Sequence, residues 1–139
     1  MIHIAPTRDI AACRALRRAV FIDEQGVSEA DEIDDQDDAA IHLLATVAGT
    51  PMGSARLILK GDTGKIGRVC VLAPARGTGL GAALMKAAIV ELRQHPGIVQ
   101  AKLGAQTHAL GFYERLGFVA FGPVYEDAGI PHRDMVLLF

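Results

Sequence analysis

The chain has 139 residues and a mass of 14.7 kDa, which fits one domain over 1–139 and leaves little room for two. Half of the residues are hydrophobic, aromatics are 5%, Trp is absent and the net charge is −2, so the core rests on Leu, Ile, Val and Ala, and no nucleic-acid footprint stands out. The N-terminus lacks a signal-peptide pattern and no run nears the roughly 18 apolar residues of a membrane span, so a cytoplasmic protein with no nucleic-acid or membrane partner is expected.

In chain order, Ile2-His3-Ile4 predicts a short strand ended by Pro6. A helix then starts near Thr7 or Asp9, both good N-caps, and carries Ile10, Cys13, Leu16, Val20 and Phe21 at helical spacing. Gln25–Asp38 reads as a short helix followed by an acidic loop. Residues 29–38 hold seven acids and no Lys or Arg; the nine acids elsewhere face 14 basic residues, leaving about +5 on the rest of the chain. A mildly basic body suits an anionic ligand.

Ile41–Ala48 and Met52–Lys60 read as a hairpin around Gly49-Thr50-Pro51. A third strand, Lys65–Leu72, follows the turn at Gly61-Asp62-Thr63-Gly64. Pro74 breaks the pattern, and Gly77-Thr78-Gly79-Leu80-Gly81 opens a helix to about Arg93, with Leu84, Met85, Ala88 and Leu92 on one face. Pro96-Gly97 closes it. Ile98–Gly104 reads as a strand and Thr107–Leu116 as a helix with Gly117 as its C-cap. Strands over Phe118–Val124 and Arg133–Phe139 finish the chain. Hairpins beside strand–helix–strand units predict an α+β fold on a mixed sheet rather than a doubly wound parallel one.

The best-defined chemical feature is Arg76-Gly77-Thr78-Gly79-Leu80-Gly81-Ala82. Glycines let backbone approach a ligand closely, and the first helical turn presents unpaired N–H groups, so the loop suits a pyrophosphate. Gly77-x-Gly79-x-x-Ala82 also satisfies a relaxed dinucleotide fingerprint, which keeps an oxidoreductase as a rival. Against that rival, Gln100–Gln106 contains no acid to hold a ribose, and three strands precede the loop. Gly61-Asp-Thr-Gly64-Lys65 is not a Walker A loop, since the spacing is wrong and Ile66 replaces Ser or Thr.

Arg76-x-x-Gly79-x-Gly81, with Ile66–Val71 before it and Phe112-Tyr-Glu-Arg-Leu-Gly-Phe118 after it, resembles the GNAT superfamily of N-acetyltransferases. Val20-Phe21-x-x-Glu24-Gln25, His42, Ala105-Gln106 and Gly129-Ile-Pro-His132 resemble its ElaA-like branch. The resemblance implies a splayed mixed, mostly antiparallel sheet with helices on both faces and acetyl-CoA in a gap between its central parallel strands. Backbone of Val69, Cys70 and Val71 would hold the pantetheine, and Arg76 with Gly77, Thr78, Gly79, Leu80, Gly81 and Ala82 would hold the pyrophosphate; Gln106 is placed on the coenzyme side as well. An amine acceptor would attack the thioester directly. A coenzyme A-binding regulatory module without catalysis is the alternative, and a homodimer is a possible assembly.

Tyr113 matches the family position for the proton donor to the departing thiolate. His132 is the candidate base because histidine alone titrates near neutrality without help, with His42 as the alternative. Cys70 lies where the thioester should be, but an apolar strand lowers no thiol pKa, so it reads as inert; Cys13 and Cys70 form no CxxC and read as reduced. Arg68, Glu24 and His42 are candidate acceptor contacts. Arg68, Arg56, Arg17 and Arg18 would suit an anionic acceptor, whereas the acids of 29–38 would suit a cationic one, and the two expectations conflict. No phasing of those acids gives an EF-hand, so no metal is expected.

Overall fold

A computed structural model describes residues 1–139. Seven strands form one sheet: β1 (Ile2–Thr7), β2 (Ile41–Val47), β3 (Thr50–Lys60), β4 (Thr63–Val71), β5 (Gln100–Gln106), β6 (Val119–Asp127) and β7 (Ile130–Leu138). Their order is β1-β2-β3-β4-β5-β7-β6. Every neighbouring pair is antiparallel except the central β4 and β5. The helices are α1 (Ile10–Arg17), α2 (Glu29–Glu32), α3 (Leu80–Arg93) and α4 (Leu110–Arg115).

The central pair sets the site. β4 and β5 are in register only at Thr63↔Gln100, Gly64↔Ala101 and Lys65↔Lys102. Both strands continue, to Val71 and Gln106, but they diverge and leave a V-shaped gap.

Two apolar surfaces clamp the sheet. On one face α3 buries Leu80, Leu84, Met85, Ala88 and Leu92 against Leu57, Ile66, Ala101, Leu103 and Ala105. The contact is close enough that a β-carbon at Gly64 would collide with Leu92. Large-to-small changes in such a layer cost about 2–5 kcal/mol. On the other face α1 sets Leu16 and, just beyond it, Val20 against Cys70, Leu44 and Leu72. Asp9 caps α1 by accepting from the Ala12 N–H, and after Arg17 the helix widens to a π-helical stretch over Arg18–Glu24.

Three expectations change. β1 runs through Pro6 because it is an edge strand, where a missing N–H need not break a ladder. The first hairpin turns at Ala48-Gly49, with φ of 50° and 82°, the positive values a two-residue turn demands, so Pro51 lies inside β3. The last hairpin turns the same way at Ala128-Gly129 (φ 52° and 76°), which lengthens both strands and puts His132 within β7.

Candidate active site

The face of the sheet opposite α3 floors a cavity of about 1010 Å³, and Val69, Tyr113, Tyr125, His132 and Asp134 are among its lining residues. Gln106 pairs with His132, and His132 with Tyr125, so these three form one row on β5, β7 and β6, and Val69 of β4 lines the same cavity.

His132 is fixed by its own turn. Its Nδ1 lies 2.7 Å from the Ile130 carbonyl, which only accepts, so Nδ1 donates, and in the neutral ring the lone pair is on Nε2. Tyr125 stacks on the imidazole, with ring centroids 6.0 Å apart. The Tyr125 hydroxyl donates to Asp134 Oδ1 at 2.7 Å. Burial and that carboxylate together push the Tyr125 phenol up to about 12. Gly104 makes the arrangement possible, because a β-carbon there would stand 2.5 Å from the Tyr125 oxygen.

Tyr113 reaches the same cavity from α4. Its ring meets Phe112 and Phe118 edge-on, at 5.0 and 6.2 Å between centroids. No protein group accepts from its hydroxyl, and burial raises its pKa above the ordinary 10.0, so the phenol keeps its proton at neutral pH.

Strand β4 is bulged opposite β3: Ser54 pairs with Cys70 and Arg56 with Gly67, so Arg68 and Val69 together face Ala55. Arg68 takes a left-handed φ of 50°, a conformation that costs a side-chain-bearing residue about 1–2 kcal/mol unless its surroundings hold it. The acidic segment supplies that hold. Arg68 Nη2 donates to the Glu32 carbonyl at 3.0 Å and to Asp34 at 3.3 Å.

The same segment takes up the other arginines. Arg56 grips Asp34 through two bonds, at 2.8 and 2.9 Å, and reaches Asp37 at 3.1 Å. Arg17, only 2% exposed, binds Glu32 at 2.8 Å and holds Asp37 by two bonds at 2.9 and 2.7 Å. Hydrogen bonding from Arg17 keeps the Asp37 carboxyl well below the usual carboxylate range. Glu32, Asp34 and Asp37 and these arginines therefore pair with each other along a wall of the cavity, and those ion pairs single out neither of the two expected acceptor charges.

On the side where the coenzyme is expected, Pro74 sits in a short 3₁₀ turn (Ala73–Ala75), and Gly77 and Gly79 take φ of 74° and 87°. A β-carbon at either glycine would meet nothing within 4 Å, so the backbone faces open space. No side chain caps the N-terminus of α3, and its first N–H groups point outward. Arg76 donates to the Val71 carbonyl at 2.9 Å and to Glu24 at 2.9 Å, while Thr78 bonds the Ala75 carbonyl. Leu80 is buried and Gly81 and Ala82 lie on the first turn, so this part of the loop offers only backbone.

Several expected residues lie elsewhere. His42 is 3% exposed on β2 and donates to the Asp37 carbonyl at 2.8 Å; it anchors the wall and does not line the cavity. Glu24 pairs with Arg76 on the coenzyme side, whereas its neighbour Gln25 lines the cavity and accepts from Gln106 at 3.0 Å. Cys70 is buried beside Ser54 Oγ at 3.4 Å, and burial raises its thiol pKa. Burial likewise lifts Cys13, to about 11, and both cysteines are free. Sequence reasoning missed Tyr125, Asp134 and Gly104, whose period-2 spacing along β6, β7 and β5 carries the available signal.

Residues 11–139 match the family described as acetyltransferase (GNAT) domain. The protein YyaT of Bacillus subtilis is 37% identical over 94% of this chain and 89% of its own length. Protein ElaA of Escherichia coli is 35% identical over 86% of this chain and 81% of its own, and its crystal structure superposes with a TM-score of 0.87, covering 98% of this chain and 99% of that one. An acyl-CoA N-acyltransferase from Pseudomonas aeruginosa, 30% identical, superposes with a TM-score of 0.87 over 98% of this chain and 99% of that one.

Proposed function

This chain belongs to the GNAT acetyltransferase family, and from that premise we propose that it moves the acetyl group of acetyl-CoA to the amine of a small acceptor by direct attack. The observation that carries the reading is the gap between β4 and β5 beside a cavity that both Tyr113 and His132 line. The residues present fit the coenzyme: open backbone at Gly77 and Gly79 and an uncapped α3 N-terminus suit a pyrophosphate, and the unpaired edge of β4 at Val69–Val71 suits an amide-bearing arm.

When bound, acetyl-CoA supplies an acetyl group activated as a thioester. The protein does the rest by position and proton transfer. His132 Nε2 takes the proton an ammonium acceptor must lose, and the Ile130 carbonyl holds the ring through Nδ1, leaving Nε2 without a protein partner. The Tyr125 ring stacked on the imidazole limits its rotation. The acceptor nitrogen would bond to the acetyl carbon as the carbon–sulfur bond breaks, and Tyr113 would give its proton to the leaving sulfur and recover one from the nitrogen, which sheds its second proton on becoming an amide. Arg68 acts at one remove, holding the β4 bulge against the acidic wall so that Val69 keeps its place in the gap. Cys70 takes no part, since a buried thiol with a raised pKa holds little thiolate.

The test is mass spectrometry of free coenzyme A and of acceptor mass across a panel of primary amines. Amine-dependent release of coenzyme A with gain of one acetyl supports the reading. Tight coenzyme A binding with no turnover on a broad panel would instead indicate a binding module.

A further inference from the structure

Lys65 and Lys102 face each other directly as the last in-register pair before β4 and β5 separate, and both line the cavity floor. Adjacent strands lie about 4.8 Å apart, and like charges opposite one another destabilise a sheet. Lys60, at the end of β3, lines the same end of the cavity. None of the three lysines has an ion-pair partner. The acids of the cavity form no ion pair with these lysines. Glu32 and Asp34 bind arginines, Asp134 accepts from Tyr125, Asp31 belongs to α2, and Asp127 ends β6 beyond Tyr125. Lys102 is steered as well, with its Nζ 5.6 Å from the centre of the Phe121 ring, another lining residue.

We propose that this lysine group at the apex of the gap is an oxyanion subsite, so that the acceptor is an amine carrying a carboxylate or phosphate several bonds from the nitrogen. The inference rests on the acetyl-transfer reading for its reacting end. Along β5, from Lys102 to Gln106 and its partner His132, is four residues, about 13 Å of strand. On β4 the open backbone of Gly67, where a β-carbon would meet nothing within 4 Å, lies between, so a chain can run along that side of the gap toward the lysines, while the Tyr125 hydroxyl covers Gly104 on β5. An oxyanion taken up by these lysines meets positive charge that no protein acid pairs.

The experiment compares ω-aminooctanoate, ω-aminooctyl phosphate, octylamine and octane diamine as acceptors. The two oxyanion-bearing amines should exceed octylamine about tenfold or more in kcat/KM, mainly through KM, with the diamine poorest; tenfold corresponds to about 1.4 kcal/mol. Comparing carboxylate with phosphate identifies which oxyanion the subsite takes. The double variant Lys65→Gln, Lys102→Gln should erase the preference while keeping the octylamine rate and coenzyme A affinity. It should also be at least as stable as the wild type, because a repulsive pair is gone. No preference in the wild type, or a preference that survives in the variant, overturns the subsite and leaves acetyl transfer standing. If none of the four is turned over, calorimetry with ω-aminooctyl phosphate on the coenzyme A-loaded protein decides. Binding lost in the double variant supports the subsite while the transfer reading fails, and no binding overturns the subsite.

Discussion

On the coenzyme side of the gap, loop 76–82 presents glycine backbone and an uncapped helix end, with Arg76 folded back onto Val71 and Glu24. The acceptor side is the reverse, a wall of long charged side chains drawn from α1, β3, β4 and residues 32–37. Backbone cradles are local and tolerate most neighbours, whereas a charged wall is a cooperative unit in which no member can be removed alone. Substitutions should therefore fail differently on the two sides: near the coenzyme they cost affinity, and in the wall they cost stability. The proton-transfer groups between them should cost rate.

The largest expected effect is on rate. Tyr113→Phe removes only a hydroxyl with no protein partner, so folding and coenzyme A binding should persist while kcat falls about 10²- to 10⁴-fold. A loss below about threefold, measured with any accepted amine, would return Tyr113 to packing.

Next comes the wall. Arg17→Met takes from buried Glu32 its only side-chain hydrogen bond and from buried Asp37 two of its four, leaving it Arg14 and Arg56, and should cost about 3–5 kcal/mol in urea unfolding. Since the folded-state pKa of Asp37 is depressed, its contribution is present above the unfolded value of about 3.9 and is lost as pH falls below it. Melting temperature should drop on acidification through that range, and more shallowly in Asp37→Asn, which starts lower.

On the coenzyme side the effect is smaller and confined to binding. Gly79 is a poor site for a test, because its φ of 87° strains any side chain. Gly81 has an ordinary φ, and its β-carbon would only touch Phe112 at 3.7 Å. Gly81→Val should weaken coenzyme A binding about tenfold, roughly 1.4 kcal/mol, with the fold retained by circular dichroism. Unchanged affinity would place the cradle elsewhere.

The smallest and most discriminating effect lies at Arg68, where the two sides meet. Arg68→Gly and Arg68→Ala both lose the clamp, but only glycine accepts the left-handed bulge without strain. The alanine variant should be less stable by about 1 kcal/mol, while both lower kcat with coenzyme A affinity kept. Equal stabilities would mean that the bulge relaxes once the clamp is gone.

The same contrast explains what could be read before the fold was known. The loop is legible because consecutive glycines report their own conformation, and Tyr113 because it sits in a dense local motif. The wall is not, because Arg17 meets Asp37 across 20 residues and Arg68 meets Asp34 across 34, with no spacing rule connecting them. His42 looked like a base for the same reason: its partner, a backbone carbonyl five residues earlier, leaves no mark on the sequence. Strand ends near Pro6, Pro51 and Ala128 shifted because edge position and positive-φ alanines override residue preference. The lengthening at Ala128 also moved His132 from a loop edge into the sheet.

The claim at the centre is that the His132 Nε2 lone pair is the base, and the pH dependence of kcat/KM in wild type, His132→Ala and His42→Ala tests it most directly. The account predicts an acidic limb in the wild type that vanishes in His132→Ala, with coenzyme A affinity intact, and that survives in a less stable His42→Ala. An acidic limb that persists in His132→Ala with an undiminished rate would contradict it.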